Sequence, residues 1–506
     1  MVLRRPSRAD RSVAGLIPAQ VSESWTPLRR RLQKPVQKGQ WPGLSACVFV
    51  SQRLRLLEEV GYADVEAKIP MTRKTLMRIY SMTKCVVAAA VMQLLEAGQL
   101  KLDDELAEHL PSFRNVKVVA ERDDGMPDFD RLLPSRRPIL IRHLLTHTSG
   151  ISCGLAPTLD GPRQRTARER AWAGIYMPLV RRVDQGEIKD LAQWVHELAQ
   201  LPLVSHPGTH YGYGYSYDIL GHIIELKSGQ KLESYLEAHI FKPLGMRDTS
   251  FQLASSPRRL SVLYRRYGVL VGLWSFVSFG TCAAFWFERP VKTAKLVLHA
   301  PGAGGVFGRV AGDAEPSTES HCTYTKSKQW GSDGRHFRLV RVDPKKGARS
   351  RWAKCLVPSA GGGLSSLEGG LLSTMDDYAK FLLAVTSGGE HCGVRILSVQ
   401  SAELMMSDLS SLLGSRVPSS ARPYDDAGLG LSGIGELQRQ KAPSWGGWFD
   451  GVPGVRQWGG AASCAFKFDP NKGQPILVMV MTQALPQDDG TTITTLLKDV
   501  REVLRL

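Results

Sequence analysis

Residues 78–100 read "RIYSMTKCVVAAAVMQLLEAGQL". Val87, Ala90, Val91, Leu94 and Leu95 recur at helical spacing, and Gly98 supplies a stop. Ser81 and Lys84 stand at the mouth of this helix. Positions i and i+3 lie on one helix face, so the Lys84 ammonium can reach the Ser81 hydroxyl. A serine is a weak nucleophile until a neighbour takes its proton or stabilises its alkoxide. A lysine taken out of water can do this, helped by the positive end of the helix dipole. As a plain cap the tetrad is a poor one. A capping box places Glu or Gln three residues after the serine, and a first-turn cation opposes the dipole. The spacing alone does not decide the matter, because Ser228 and Lys231 repeat it. That second copy follows a helix and contains a helix-stopping glycine, so it reads as a turn.

Outward from this helix, residues 43–52 and 53–67 read as two strands leading into a Gly turn. The stretches at 102–113, 142–151, 191–203, 217–229 and 232–246 read as helices, some of them short. Another helix over 374–389 starts on a Thr/Asp cap and ends at a Gly pair. Residues 456–470 and 475–485 read as adjacent strands, followed by a terminal helix around 491–506. With strands near both ends and helices in the middle, the expected class is α+β. An antiparallel sheet built from both chain ends would carry flanking helices and sit beside a helical lobe.

The chain has 506 residues and a formal net charge of +17. That charge is concentrated in two places. Residues 1–40 hold nine basic against two acidic residues, and residues 256–356 hold eighteen against six. The remainder is close to neutral, so the charge does not mark a nucleic-acid surface around Ser81, and no nucleic-acid partner is expected. The eight cysteines (47, 85, 153, 282, 322, 355, 392, 464) form neither a C-x-x-C pair nor a Cys/His cluster, so neither a metal site nor a disulfide framework is expected. Residues 1–39 read as a basic, disordered tail; its Arg-rich, acid-poor composition also fits an organelle transit peptide. The compartment stays open between cytoplasmic and organellar, and nothing in the sequence bears on oligomeric state.

Residues 267–334 read as a basic insertion that opens on an uncharged run, 267–287, long enough to span a bilayer. A span there would put the Ser81 region and the C-terminal strands on opposite sides of a membrane. It is therefore incompatible with a site made from both. A buried helix, an interfacial anchor giving membrane association, or non-native sequence are the other readings.

Several stretches together resemble the serine β-lactamase-like superfamily, which includes class C β-lactamases, penicillin-binding proteins and related esterases. They are "SMTK" with its helix and the following "GQLKLDD", "RHLLTHTSGI", "HPGTHYGYGYSYDILGHIIE" with "FKPLGMRDTSF", "VRVDP", "GGLLSTMDDYAKFLLAVTSGGEHCGVRILS" and "WGGAASCAFKFDP". The resemblance covers most of residues 40–265 and 335–506. It implies a β-lactamase/transpeptidase-like fold and one catalytic domain over 40–506, interrupted by the insertion.

The resemblance also implies roles residue by residue. Ser81 would be the nucleophile and Tyr213, counted back from "DILG", the catalytic tyrosine. A phenol accepts the Ser81 proton only where a cation favours its phenolate, which Lys84 would supply. In the family's Tyr-x-Asn or Tyr-Ser-x motif, Gly214 stands for the usual serine and Tyr215 for the asparagine that holds a lactam's acyl amide. The remaining tyrosines alternate at period two and read as packing. In the third motif Trp458-Gly459-Gly460-Ala461 stands where lactamases carry Lys-Thr-Gly or His-x-Gly. The glycines let a substrate carbonyl approach the strand, and the N–H groups of Ser81 and Ala461 would form the oxyanion hole. Trp458 replaces a cation that binds a lactam carboxylate, which points to the esterase and transesterase branch. Tyr215, Trp458, Gly459 and Gly460 are thus expected to contact substrate. His143 and His147 lack a third ligand and read as structural.

The expectation is a serine hydrolase that cleaves small carboxylic esters through an acyl-enzyme, with no metal or organic cofactor. The alternatives are an acyltransferase at the same site, a β-lactamase or D-amino-acid peptidase, and a non-enzymatic interaction or membrane-associated module.

Overall fold

The computed structural model describes residues 25–153, 167–252, 257–269, 336–341, 370–407, 435–436, 454–471, 473–485 and 491–506. Its first elements are helix α1 (Thr26–Gln37) and strands β1 (Gly43–Val50), β2 (Arg53–Asp64) and β3 (Ile69–Pro70), followed by helix α2 (Thr83–Glu96). Four further helices bear on the site: α3 (Ile141–Leu145), α4 (Ala167–Asp184), α5 (Leu191–Leu198) and α6 (Ser216–Ser228). After helix α7 (Met375–Thr386) come strands β4 (Gly435–Glu436), β5 (Arg456–Gly460), β6 (Cys464–Asp469) and β7 (Ile476–Met481), and then helix α8 (Thr491–Leu504).

The strands form one sheet in the order β4-β5-β6-β7-β1-β2-β3. All its pairings are antiparallel, and the two chain ends meet where Ser45 lies opposite Met481 and Val50 opposite Ile476. β1, β6 and β7 are buried along their whole length. Side chains on a strand point alternately to opposite faces, so a strand covered on both faces reads as a continuous apolar run. Ala46, Val48 and Val50 with Ile476, Val478 and Val480 enter one apolar layer, closed by Leu28 and Leu32 of α1 and by Ile493, Leu496, Leu497 and Val500 of α8. Cys47 and Phe49 with Leu477, Met479 and Met481 enter the other layer, which α2 and the helical lobe fill.

α2 runs between sheet and lobe, and that position accounts for its composition. Residues from Thr83 through Met92 are all buried, as is Leu94. A helix apolar on all sides belongs in the core. Gly98 ends it in the left-handed region at φ 66°.

Three expectations change. The segment taken as a basic tail over 1–39 includes α1, which is docked on the sheet. Its charges mask an i, i+4 apolar pair, Leu28 and Leu32, and Arg31 pairs with Asp499 of α8 at 2.6 Å. Residues 1–24 lie outside the described residues. Second, α4 and a hairpin of Lys117–Glu121 with Pro127–Pro134 occupy stretches given no element above. Third, Tyr264–Val269 is a strand, paired antiparallel with His336–Arg341 and parallel with Ala484–Leu485. The first three residues of the uncharged run 267–287 therefore pair within a sheet. The rest of that run, and of the insertion to 334, lies outside the described residues. No described helix is long and apolar enough to cross a membrane.

Candidate active site

Ser81 sits in a single 3₁₀ turn, Tyr80–Met82, that leads into α2. Tyr80 just before it has φ 47°, a left-handed conformation that is uncommon for a bulky residue and holds only where the surroundings impose it. The surroundings do so through side chains from distant elements. Gln483 brackets Arg78, donating to its carbonyl at 3.0 Å and accepting from its N–H at 3.2 Å. The Tyr378 hydroxyl of α7 donates to the Met82 carbonyl at 2.9 Å, and the Trp458 indole N–H of β5 donates to the Ser81 carbonyl at 2.9 Å.

Lys84 follows one turn on, 1 % exposed. Its Nζ lies 2.7 Å from Tyr213 Oη and 3.5 Å from Ser81 Oγ, while Ser81 Oγ and Tyr213 Oη are 2.5 Å apart. The ammonium also stands 4.5 Å from the centre of the Tyr213 ring. Ammonium, phenol and hydroxyl thus form one short hydrogen-bonded triangle. Ser81 and Tyr213 are both partly exposed, so the triangle opens outward from a buried charge.

Tyr213 belongs to the loop before α6 and is positioned by the irregular segment 147–153. Gly212 N–H donates to the His147 carbonyl at 2.7 Å, and the Cys153 thiol donates to the Tyr213 carbonyl at 3.5 Å. Gly214 passes so close that an added Cβ would lie 2.5 Å from the Ile151 carbonyl oxygen. That approach leaves no room for a side chain at position 214.

His147 packs its ring against Tyr213 and Tyr217, with centroids 4.7 and 5.1 Å away. Burial, and then the nearby Lys84 charge, hold its imidazole well below the usual histidine range, so it is neutral. Neither ring nitrogen has a hydrogen-bond partner among the described residues. His143 is also neutral, pushed down to about 4 by burial and by Arg137 and Arg142; its Nδ1 accepts the Leu140 N–H at 3.1 Å.

The other expected site residues separate. Trp458 is partly exposed and its ring centre lies 6.3 Å from that of Tyr213, so it borders the triangle. Gly460 lies against the Ser81 turn, where an added Cβ would sit 2.3 Å from the Ile79 carbonyl oxygen. Gly459 points to the opposite face of β5, and Ala461, itself exposed, begins the turn into β6. Tyr215 does not border the opening. It is 6 % exposed, edge-on to Trp194 at 5.0 Å and near Tyr176 at 6.0 Å, so its expected place as a substrate contact is corrected to one in the core. It heads α6, and its ring is drawn into the apolar layer between α4 and α5. Two residues that shape the site went unassigned in the sequence, Tyr378 and Gln483, while His147 was read only as structural. A buried tyrosine or glutamine gives no periodic signal. Among the described residues, no three His, Cys, Asp or Glu side chains converge as a metal site requires.

A serine, lysine and tyrosine gathered beside a strand from the far end of the chain are characteristic of one class of fold. The chain belongs to the Beta-lactamase family, whose model matches residues 28–501. It is 36 % identical over 205 residues to esterase EstB of Burkholderia gladioli, a match covering 40 % of this chain and 45 % of the relative. It is 32 % identical over 194 residues to monacolin J acid methylbutanoyltransferase of Aspergillus terreus, covering 38 % and 42 %. The chain thus spans about half the length, or a little less, of the curated relatives it matches. Among solved structures, EstCE1, titled a hydrolase with promiscuous acyltransferase activity, superposes with a TM-score of 0.59 at 22 % identity, covering 98 % of this chain and 100 % of that one. At that identity the likeness shows the β-lactamase/transpeptidase-like fold alone.

Proposed function

We propose that this protein is a serine hydrolase that cleaves small carboxylic esters by two-step acyl transfer. The observation that carries the reading is the triangle of Lys84 Nζ, Tyr213 Oη and Ser81 Oγ at 2.7, 2.5 and 3.5 Å. Tyr213 Oη, 2.7 Å from Lys84 Nζ, acts as the base that takes the Ser81 proton as Oγ attacks the ester carbonyl. The N–H groups of Ser81 and Ala461 receive the developing oxyanion. Tyr213 then hands the proton to the departing alkoxide. Water repeats the sequence in reverse on the acyl-enzyme and releases the acid.

Trp458 supports an ester over a lactam or a D-amino-acid peptide, since an indole offers no charge to a carboxylate. The esterase relative supports the same choice. A second reading, acyl transfer to an alcohol or amine, is favoured by the methylbutanoyltransferase relative and uses the same residues.

The test is labelling by a fluorophosphonate and hydrolysis of p-nitrophenyl esters, in the intact protein and in Ser81→Ala. Labelling lost in the variant supports the proposal. Equal labelling of both proteins, or none of either, sinks it in favour of a non-enzymatic module. Products analysed with and without added alcohol separate hydrolase from transferase, and nitrocefin turnover matching ester turnover would restore the lactamase reading.

A further inference from the structure

Trp458 stands where a substrate-binding side chain is expected, yet its polar atom is committed to the protein. The indole N–H donates to the Ser81 backbone carbonyl at 2.9 Å. Residues i and i+2 of a strand share a face, and Gly460 on that face meets the Ile79 carbonyl so closely that any Cβ would collide with it. One face of β5 therefore grips the chain on both sides of Tyr80 and Ser81: at the Ile79 carbonyl before them and at the Ser81 carbonyl after them. Between these two points Tyr80 is left-handed, a conformation that relaxes unless the neighbouring peptides are held. Ser81 Oγ is 2.5 Å from Tyr213 Oη, a separation that a small rotation of the Ser81 peptide would lengthen.

We propose that Trp458 is a positioning residue for Ser81, its indole N–H holding the Ser81 carbonyl so that the hydroxyl of the same residue stays aligned with Tyr213. The inference rests on the proposed role of Ser81 as nucleophile. It assigns to Trp458 a part in nucleophile reactivity rather than in substrate affinity. The ring still borders the opening, so a variant that keeps a ring and loses the N–H separates the two roles.

The experiment compares wild type, Trp458→Phe and Trp458→His in fluorophosphonate labelling rate and in ester hydrolysis. Trp458→Phe keeps an aromatic wall but loses the donor. Labelling rate and kcat should both fall about tenfold, the scale of one buried hydrogen bond, with KM changed by less than about twofold. Trp458→His returns a ring N–H and should recover most of the loss, which a purely structural role of the indole would not allow. Phe-variant labelling at the wild-type rate, a change confined to KM, or equal losses in the Phe and His variants would each overturn the inference while leaving the Ser81 chemistry standing. A wild type that neither labels nor hydrolyses esters overturns the proposed function, and the inference with it.

Discussion

The chain carries the same tetrad pattern twice, and its surroundings make two different objects of it. Ser81 precedes a helix, and Lys84 is buried within reach of both the serine and Tyr213. Ser228 ends a helix, and its hydroxyl donates back to the Ile224 carbonyl at 2.6 Å. Gly229 then turns left-handed at φ 68°, and the Lys231 side chain, 70 % exposed, stands 3.8 Å from Glu225. In the first copy the ammonium is removed from water and faces a phenol and a hydroxyl. In the second it is solvated and contributes little even to its ion pair. The lesson is that a serine–lysine spacing supplies reach, while burial and a third group supply chemistry.

The contrast can be broken most severely at Ser81. Ser81→Ala should lower ester hydrolysis by about 10³-fold or more and abolish fluorophosphonate labelling, measured at equal protein concentration. Next comes the third group that the second tetrad lacks. Tyr213→Phe keeps the ring contact with His147 but removes the proton carrier, and kcat should fall by roughly 10²–10⁴-fold with KM little changed. An unchanged kcat would leave Lys84 to act on Ser81 directly across 3.5 Å.

The first region also excludes its histidines from water, and this predicts a pH dependence of stability. Unfolded histidine takes up a proton near 6.5, whereas His143 in the fold stays neutral down to about 4 and His147 is depressed as well. Between those values the unfolded state binds more protons, so stability is full above about pH 6.5 and is lost as pH falls through this window. His143 alone should account for on the order of 3 kcal/mol, less whatever water reaches it. Denaturant midpoints between pH 7.5 and 4.5 measure this, and a His143→Gln variant should show a shallower decline.

A smaller change sharpens the role of the loop that brings Tyr213 to Ser81. Gly214→Ala should cost about 1–3 kcal/mol, since its Cβ would press on the Ile151 and Ser152 backbone, and hydrolysis should fall with it. The smallest effect belongs to the second tetrad. Ser228→Ala and Lys231→Ala should leave ester hydrolysis unchanged and alter stability by no more than ~0.5 kcal/mol. A loss of activity in either would erase the distinction between the two copies.

Much of the fold was legible because two periods are written into side-chain order. β7 is apolar throughout and β1 is so apart from Ser45, as strands covered on both faces are, and the helices after Thr374 and before Gly229 carry their own start and stop signals. Elements escaped where another property dominates the stretch. Arginines and lysines obscure the Leu28–Leu32 stripe of α1, and the uncharged run beginning at Tyr267 obscures the end of a strand. In the site, the reach of Lys84 to Ser81 follows from helix geometry, and Tyr213 followed from motif order. The burial of Tyr215 was not legible, because alternation along a loop does not say which face a neighbouring helix covers.

By itself, then, the sequence determined the local objects: a helix with a serine and a lysine on one face, a tyrosine-rich loop, a strand with two glycines, and the family that orders them. These depend on contacts within a few residues, where spacing translates directly into geometry. Only the tertiary structure decided that Trp458 donates its N–H to the Ser81 carbonyl and that Tyr215 turns into the core. Those outcomes turn on partners 377 residues apart in one case, and on which side chains water can still reach. No periodicity along the chain encodes either.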